Sequence, residues 1–222
     1  MRIAGIDSGK QRDSFAFVGI EVRDDNIYVK GVKTWIKRNY MEVENLIANI
    51  HDAKHFDYYV IEINNTGEHV YEELRYRHKI PNLIPVFTTA QVKDQMKIAT
   101  GKVMPKNQMV LWMAKMFQEN RIKFPSKTNK NVEELKRQIS IFSEFITEAG
   151  NVSYRAEGTE HDDTVMALML ACFMARHYIK KQPDQRSSIQ VSHRSFADKT
   201  DDLFGSEIPP GATSIAREVY YP

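Results

Sequence analysis

An α/β protein with a central mixed β-sheet flanked by helices is expected from three properties of this chain. Strand-like stretches follow one another closely at the start, at 2–6, 14–22 and 27–36. Helical and extended patterns then alternate, which indicates a sheet with packed helices rather than a bundle or a sandwich. Finally, 42% of the 222 residues are hydrophobic, enough to bury one substantial core.

Each element has a local reason. Residues 2–6 and 14–22 are apolar runs joined by a polar, glycine-containing turn, the pattern of a hairpin or a slightly longer loop. The stretch 27–36 is again extended, and a helix is expected at about 41–53. A strand at 57–63 contains the apolar run 58–61 and ends at Asn64, Asn65, Thr66 and Gly67, after which 68–78 is amphipathic and helical. A strand at 83–87 follows, then helices at about 105–119 and 131–145, a short extended piece at 151–155, and a final helix at 161–180. The Met and aromatic residues of 109–117 recur at helical spacing and read as core.

Composition excludes several classes. The charged fraction of 27% is ordinary and argues against wholesale disorder. A single cysteine, Cys172, inside the last expected helix leaves no disulfide framework or cysteine metal cluster and fits a reducing cytoplasm. The first residues form a strand rather than a signal peptide, and no apolar run reaches membrane-spanning length, so a soluble, non-secreted protein is expected. Past Lys181 the chain becomes polar and rich in Pro and Gly; a domain at 1–181 followed by an irregular extension at 182–222 is the expected organisation.

Chemistry is concentrated in four acids. Asp162 and Asp163 head the apolar run of the last helix, behind His161. Capping explains one acid at a helix mouth, where free N–H groups and the dipole favour negative charge, but not an adjacent pair. Asp7 closes the first strand, and Glu62 stands near the end of the strand at 57–63. Turn formation would account for Asp7 alone, and a half-exposed edge strand for Glu62 alone. Together, carboxylates at the ends of separate elements are what hard divalent cations such as Mg²⁺ and Mn²⁺ take as ligands. Two such ions about 4 Å apart serve phosphodiester cleavage.

On these residues the chain resembles the nuclease domain of the large terminase subunit of tailed bacteriophages, within the ribonuclease H-like superfamily that also holds the RuvC-type resolvases. The matching words are Gly5-Ile-Asp7-Ser-Gly, Ile61-Glu62-Ile-Asn-Asn-Thr-Gly67 and Glu160-His161-Asp162-Asp163-Thr-Val-Met, with a further likeness across 134–142 and 150–156. The resemblance implies a ribonuclease H-like fold and a metal-dependent endonuclease that cuts concatemeric double-stranded viral DNA during genome packaging in the host cytoplasm. It implies Asp7, Glu62 and one or both of Asp162 and Asp163 as catalytic ligands of two Mg²⁺ or Mn²⁺ ions, with Asp7 expected to bridge them. It also implies the terminase ATPase motor, the small terminase subunit and the capsid portal as partners. Asp13 matches an acidic position of the family's first loop, and His161 could orient an acid or a water or simply pack and cap. No phosphate loop is present: Ala99-Thr-Gly-Lys-Val103 lacks the first glycine and the hydroxyl after lysine. The chain is therefore expected to carry no ATPase domain, as an excised domain or a separately encoded nuclease. A RuvC-like Holliday-junction resolvase and a non-catalytic DNA- or portal-binding module are the alternatives.

The net charge of +2 says little about nucleic acid, but its distribution says more. Lys93, Lys97, Lys102 and Lys106 cluster against Asp94 alone and are the candidate phosphate contacts, with a solvated surface as the other explanation. No aromatic residues interleave them, so stacking on single-strand bases is not indicated.

Overall fold

The computed structural model describes residues 1–9, 14–64, 67–89, 102–146, 152–156 and 160–179. Asp13, Lys93, Lys97, residues 99–101 and the extension at 182–222 lie outside the described residues.

A seven-stranded mixed sheet forms the centre. Its strands are β1 (Arg2–Asp7), β2 (Ser14–Arg23), β3 (Asn26–Ile36), β4 (Tyr58–Glu62), β5 (Leu83–Thr89), β6 (Lys102–Pro105) and β7 (Ile122–Lys123), in the spatial order β6-β5-β4-β1-β2-β3-β7. β1, β2 and β3 pair antiparallel, as the hairpin reading expects, and Asp24 and Asp25 take left-handed φ values of 51° and 61° in the tight turn between the last two. β4 joins the other side of β1 in parallel, and β5 and β6 extend that parallel half. The direction of pairing therefore changes at β1, the kind of position where open sheets place their ligands.

Both faces are covered. Alternation along β1 sends Ala4 and Ile6 to a cluster with Val43 and Ile47 of helix α1 (Tyr40–Lys54) and Val70 of α2 (Gly67–Glu72). Ile3 goes to the opposite face, against helices α3 (Lys106–Gln118), α4 (Lys130–Ser140) and α5 (Asp163–Ala175). Helix α5 is apolar on every side and buried along its whole length, as a helix wedged between a sheet and two other helices must be.

Several expected boundaries move. The helix at 131–145 ends at Ser140; Phe142–Ile146 is instead a strand, β8, antiparallel to β9 (Val152–Ala156) in a separate two-stranded sheet. Phe, Ile and Ser suit a strand as well as a helix, and cross-strand pairing decides here. Helix 161–180 is shorter, and 68–78 is α-helical to Glu72 and then π-helical over Glu73–Arg77. The short strands β6 and β7 have no counterpart in the sequence reading. Glu62 stands on an interior strand between β1 and β5, so protection of a sheet edge does not explain it.

Candidate functional site

One close approach builds the site. A Cβ added to Gly5 would lie 1.9 Å from the backbone oxygen of Ala167, so only glycine lets β1 touch α5 here. Strand periodicity puts Asp7, two residues on, over the same face, and helical periodicity puts Asp163 one turn before Ala167 on the same side of α5. Contact at Gly5 thus aligns Asp7 with Asp163.

Glu62 reaches the same place through register. β4 pairs with β1 as Gly5↔Val60 and Ile6↔Ile61, which brings Glu62 beside Asp7 with its side chain on the α5 face, as for Val60. Gly67 closes this corner: a Cβ there would sit 2.1 Å from the Glu62 carbonyl oxygen and 2.6 Å from Ser8 Oγ. Ser8 Oγ donates to that same carbonyl at 3.1 Å, tying the loop after β1 to the end of β4.

All four acids are electrostatically linked. Burial first, then the charges of Glu62, Asp163 and Asp162, hold the Asp7 carboxyl well above the usual range, and it shares a hydrogen bond with Glu62. Burial also raises Glu62, offset by its bond with Asp7 and by the nearby Lys106 ammonium. Lys106 Nζ lies 3.5 Å from Asp162 Oδ2. Among the described residues, Lys106 beside Asp162 and His161 beside Asp163 are basic side chains at the cluster. Like charges this close cannot all ionise unaided, which is the electrostatic situation a cation relieves.

Each outer carboxylate is also held by a donor. Ser14, buried on the same face of β2, donates its hydroxyl to Asp163 Oδ2. His161, which is exposed, has Nδ1 3.6 Å from that oxygen. Thr88 on β5 donates to Glu62 Oε1, and Asn64 Nδ2 donates to the same oxygen at 2.9 Å. Asp162 occupies the cap position of α5 yet makes no side-chain capping bond. Gln138 of α4 caps instead: its Oε1 accepts from the Thr164 backbone N–H at 3.0 Å and from the Thr164 hydroxyl. The acids at this helix mouth are thereby left to each other and to the sheet.

The four oxygen-bearing acids suit a hard divalent ion in their chemistry. They are not a closed cage: no group of three or more His, Cys, Asp or Glu side chains among the described residues stands at metal-holding distances. A cavity of about 210 Å³ near Ile84, Met104, Phe173 and Arg176 contains none of the acids.

Sequence reasoning named Asp7, Glu62, Asp162 and Asp163, and the structure brings them together. Of the four lysines, Lys106 opens α3 and turns to Asp162, while Lys102 opens β6. Ser14, Thr88 and Gln138 were missed, because single hydroxyls and amides give no pattern until the strands are paired. Asn64 was visible in the matching words, without its role.

Comparison with known proteins agrees with this arrangement. The family described as Terminase RNaseH-like domain matches residues 4–175. Among solved structures, the large terminase nuclease from thermophilic phage G20c with bound magnesium is 20% identical, over 78% of this chain and 80% of that one, with a TM-score of 0.61. The large terminase nuclease domain of Thermus phage P74-26 is 18% identical, over 83% of each chain, with a TM-score of 0.59. A variant nuclease domain of the large terminase subunit of bacterial virus Sf6, with manganese, is 11% identical over 77% of this chain and 87% of that one, with a TM-score of 0.56. These likenesses establish a ribonuclease H-like fold. No curated protein sequence matches the chain.

Proposed function

The chain belongs to the terminase RNaseH-like domain family, and on that premise we propose that it is a nuclease of phage DNA packaging, cutting concatemeric double-stranded DNA by metal-dependent phosphodiester hydrolysis. The observation that carries this reading is the convergence of Asp7, Glu62, Asp162 and Asp163 on one end of one sheet face, where burial and then the neighbouring acids raise the Asp7 carboxyl. Crowding acids in this way disfavours their ionised forms, and a bound cation would relieve it. Relatives of the same fold hold magnesium and manganese.

In this reading the four acids hold two Mg²⁺ or Mn²⁺ ions, which when bound supply the Lewis acidity and nucleophile activation that phosphodiester hydrolysis needs. The chain's own contribution is positioning. Asp7 stands with Glu62 and Asp163, and a cation held there would favour its ionised form. Ser14 fixes Asp163 through Oδ2, and Lys106 offsets one charge at Asp162 Oδ2. Lys93, Lys97 and Lys102 serve the DNA backbone, a sequence-independent contact suited to cutting with little base preference. Packaging partners are the ATPase motor, the small subunit and the portal, in the host cytoplasm. No helix among the described residues is long and apolar enough to cross a membrane.

Plasmid cleavage with Mg²⁺ or Mn²⁺ tests this. Nicking and linearisation by the intact protein, abolished in Asp7→Ala and in Asp163→Ala with folding retained, is the expected result. Failure of the folded protein to cut under any divalent ion overturns it in favour of a binding module.

A further inference from the structure

We infer that Thr88, acting with Asn64, is a positioning residue that commits one oxygen of Glu62 and leaves only Oε2 to meet a cation. The inference deepens the metal-dependent reading above and rests on it.

The relay is read from its donors and acceptors. Asn64 Nδ2 lies 3.0 Å from Thr88 Oγ1, 2.8 Å from the Thr88 carbonyl oxygen and 2.9 Å from Glu62 Oε1. Because the Thr88 hydroxyl oxygen accepts from Asn64, its one proton is directed elsewhere, and it goes to Glu62 Oε1. Oε1 therefore receives the Thr88 O–H and a share of an Asn64 N–H, the two amide hydrogens serving three acceptors. Neither Thr88 nor Asn64 donates to Oε2, which the strap leaves facing Asp7 and the rest of the cluster.

Location supports the role. Glu62 pairs with Val86 across β4 and β5, so Thr88 lies two residues further along β5 on the same face, at the end of the sheet where the acids gather. Valine would satisfy the strand and the packing there equally well, so the hydroxyl is what threonine adds. The same strap also ties the β4 end to the β5 backbone, removing rotamer freedom from Glu62 before any ion arrives. Donors behind a metal-binding group commonly set its affinity, and their loss costs about 10- to 100-fold. Ser14 stands in the same relation to Asp163 Oδ2, so a carboxylate with one held oxygen recurs across the site.

The experiment is a Mn²⁺ titration of the full chain, read by the loss of the free-ion paramagnetic resonance signal, with Thr88→Val, Thr88→Ser and Asn64→Ala beside the unaltered protein. Thr88→Val is expected to weaken Mn²⁺ binding about 10-fold or more, with Thr88→Ser close to the unaltered protein. In cleavage, Thr88→Val should need more metal while keeping most of its rate at saturation. Asn64→Ala, which leaves the β5 side chains unaltered, should weaken binding in the same direction and keeps the test valid if Thr88→Val folds poorly. Unchanged Mn²⁺ affinity in Thr88→Val, or equal weakening in Thr88→Val and Thr88→Ser, overturns the positioning role alone. Absence of Mn²⁺ binding by the unaltered protein overturns the metal-dependent reading with it.

Discussion

Replacing Gly5 by alanine should injure both stability and the site, because the new methyl group has nowhere to go. Its Cβ would stand 1.9 Å from the Ala167 oxygen, 2.9 Å from the Ala167 carbonyl carbon and 3.0 Å from the Ala171 nitrogen, whereas ordinary contact begins at 3.4 Å. Subtracting 1.9 from 3.4 leaves 1.5 Å by which β1 and α5 must part at this point. The obstruction is backbone, so no side-chain rotation relieves it. Overpacking costs about 1–3 kcal/mol, and a backbone clash of this depth belongs at roughly 3 kcal/mol or beyond. At about 2–4 °C per kcal/mol for a chain of this size, the melting temperature should fall by roughly 6–12 °C. Asp7 and Asp163 flank the displaced contact, and a misplacement of about 1 Å is enough to cost on the order of 100-fold in rate. Urea denaturation and Mg²⁺-dependent plasmid cleavage measure the two effects, with Gly31→Ala as the control, since nothing lies within 4 Å of a Cβ there. Should Gly5→Ala unfold within about 0.5 kcal/mol of the Gly31 control, the close β1–α5 contact is not what places the acids.

Asp7 provides a pH signature. Its folded pKa is raised, first by burial and then by Glu62, Asp163 and Asp162, so its contribution to stability is full below the unfolded carboxyl range and is lost as pH rises through the folded value. Asp7→Asn removes that loss; in chelator, its stability advantage over the unaltered protein should widen as pH rises above the ordinary carboxyl range, and urea melts showing a constant or shrinking gap would contradict the account. Divalent ions should stabilise the unaltered protein, by about 2.7 kcal/mol at roughly 100 times the dissociation constant, and thermal melts should show little of this in Asp7→Ala. Gly67→Ala should destabilise the protein and lower cleavage, because its Cβ meets the Glu62 carbonyl at 2.1 Å; unaltered melting and cleavage would dismiss that corner as a constraint. Cys172 is fully buried and burial pushes its thiol up, so thiol reagents should label it only on unfolding, and rapid labelling of the native protein would disprove the burial of α5.

Much of this was legible in the chain itself. The four acids stand out because charge interrupts apolar runs at Asp7, Glu62 and Asp162–Asp163, and such interruptions survive any uncertainty about element ends. The hairpin of β1 and β2 was equally plain from two apolar runs joined by a polar, glycine-containing turn. What escaped was decided by distant partners. Phe142–Ile146 becomes a strand because Val152–Ala156 is there to pair with it. β6 and β7 are too short to carry a periodicity of their own. Ser14 and Thr88 look like ordinary strand residues until register sets them beside Asp163 and Glu62. Gly5 and Gly67 appeared in the matching words, but the reason each must be glycine is a contact with Ala167 or with Glu62 and Ser8, visible only after packing.

The bond from Ser14 to Asp163 joins residues 149 positions apart. The strands that carry Asp7 and Glu62 leave the ribosome long before the helix that carries Asp163, and without α5 the face of β1 around Gly5 has no partner. Contacts of such sequence separation form late, since the intervening chain must first be ordered. A growing chain therefore holds Asp7 and Glu62 without Asp163, and the four acids stand together only once α5 has docked against β1.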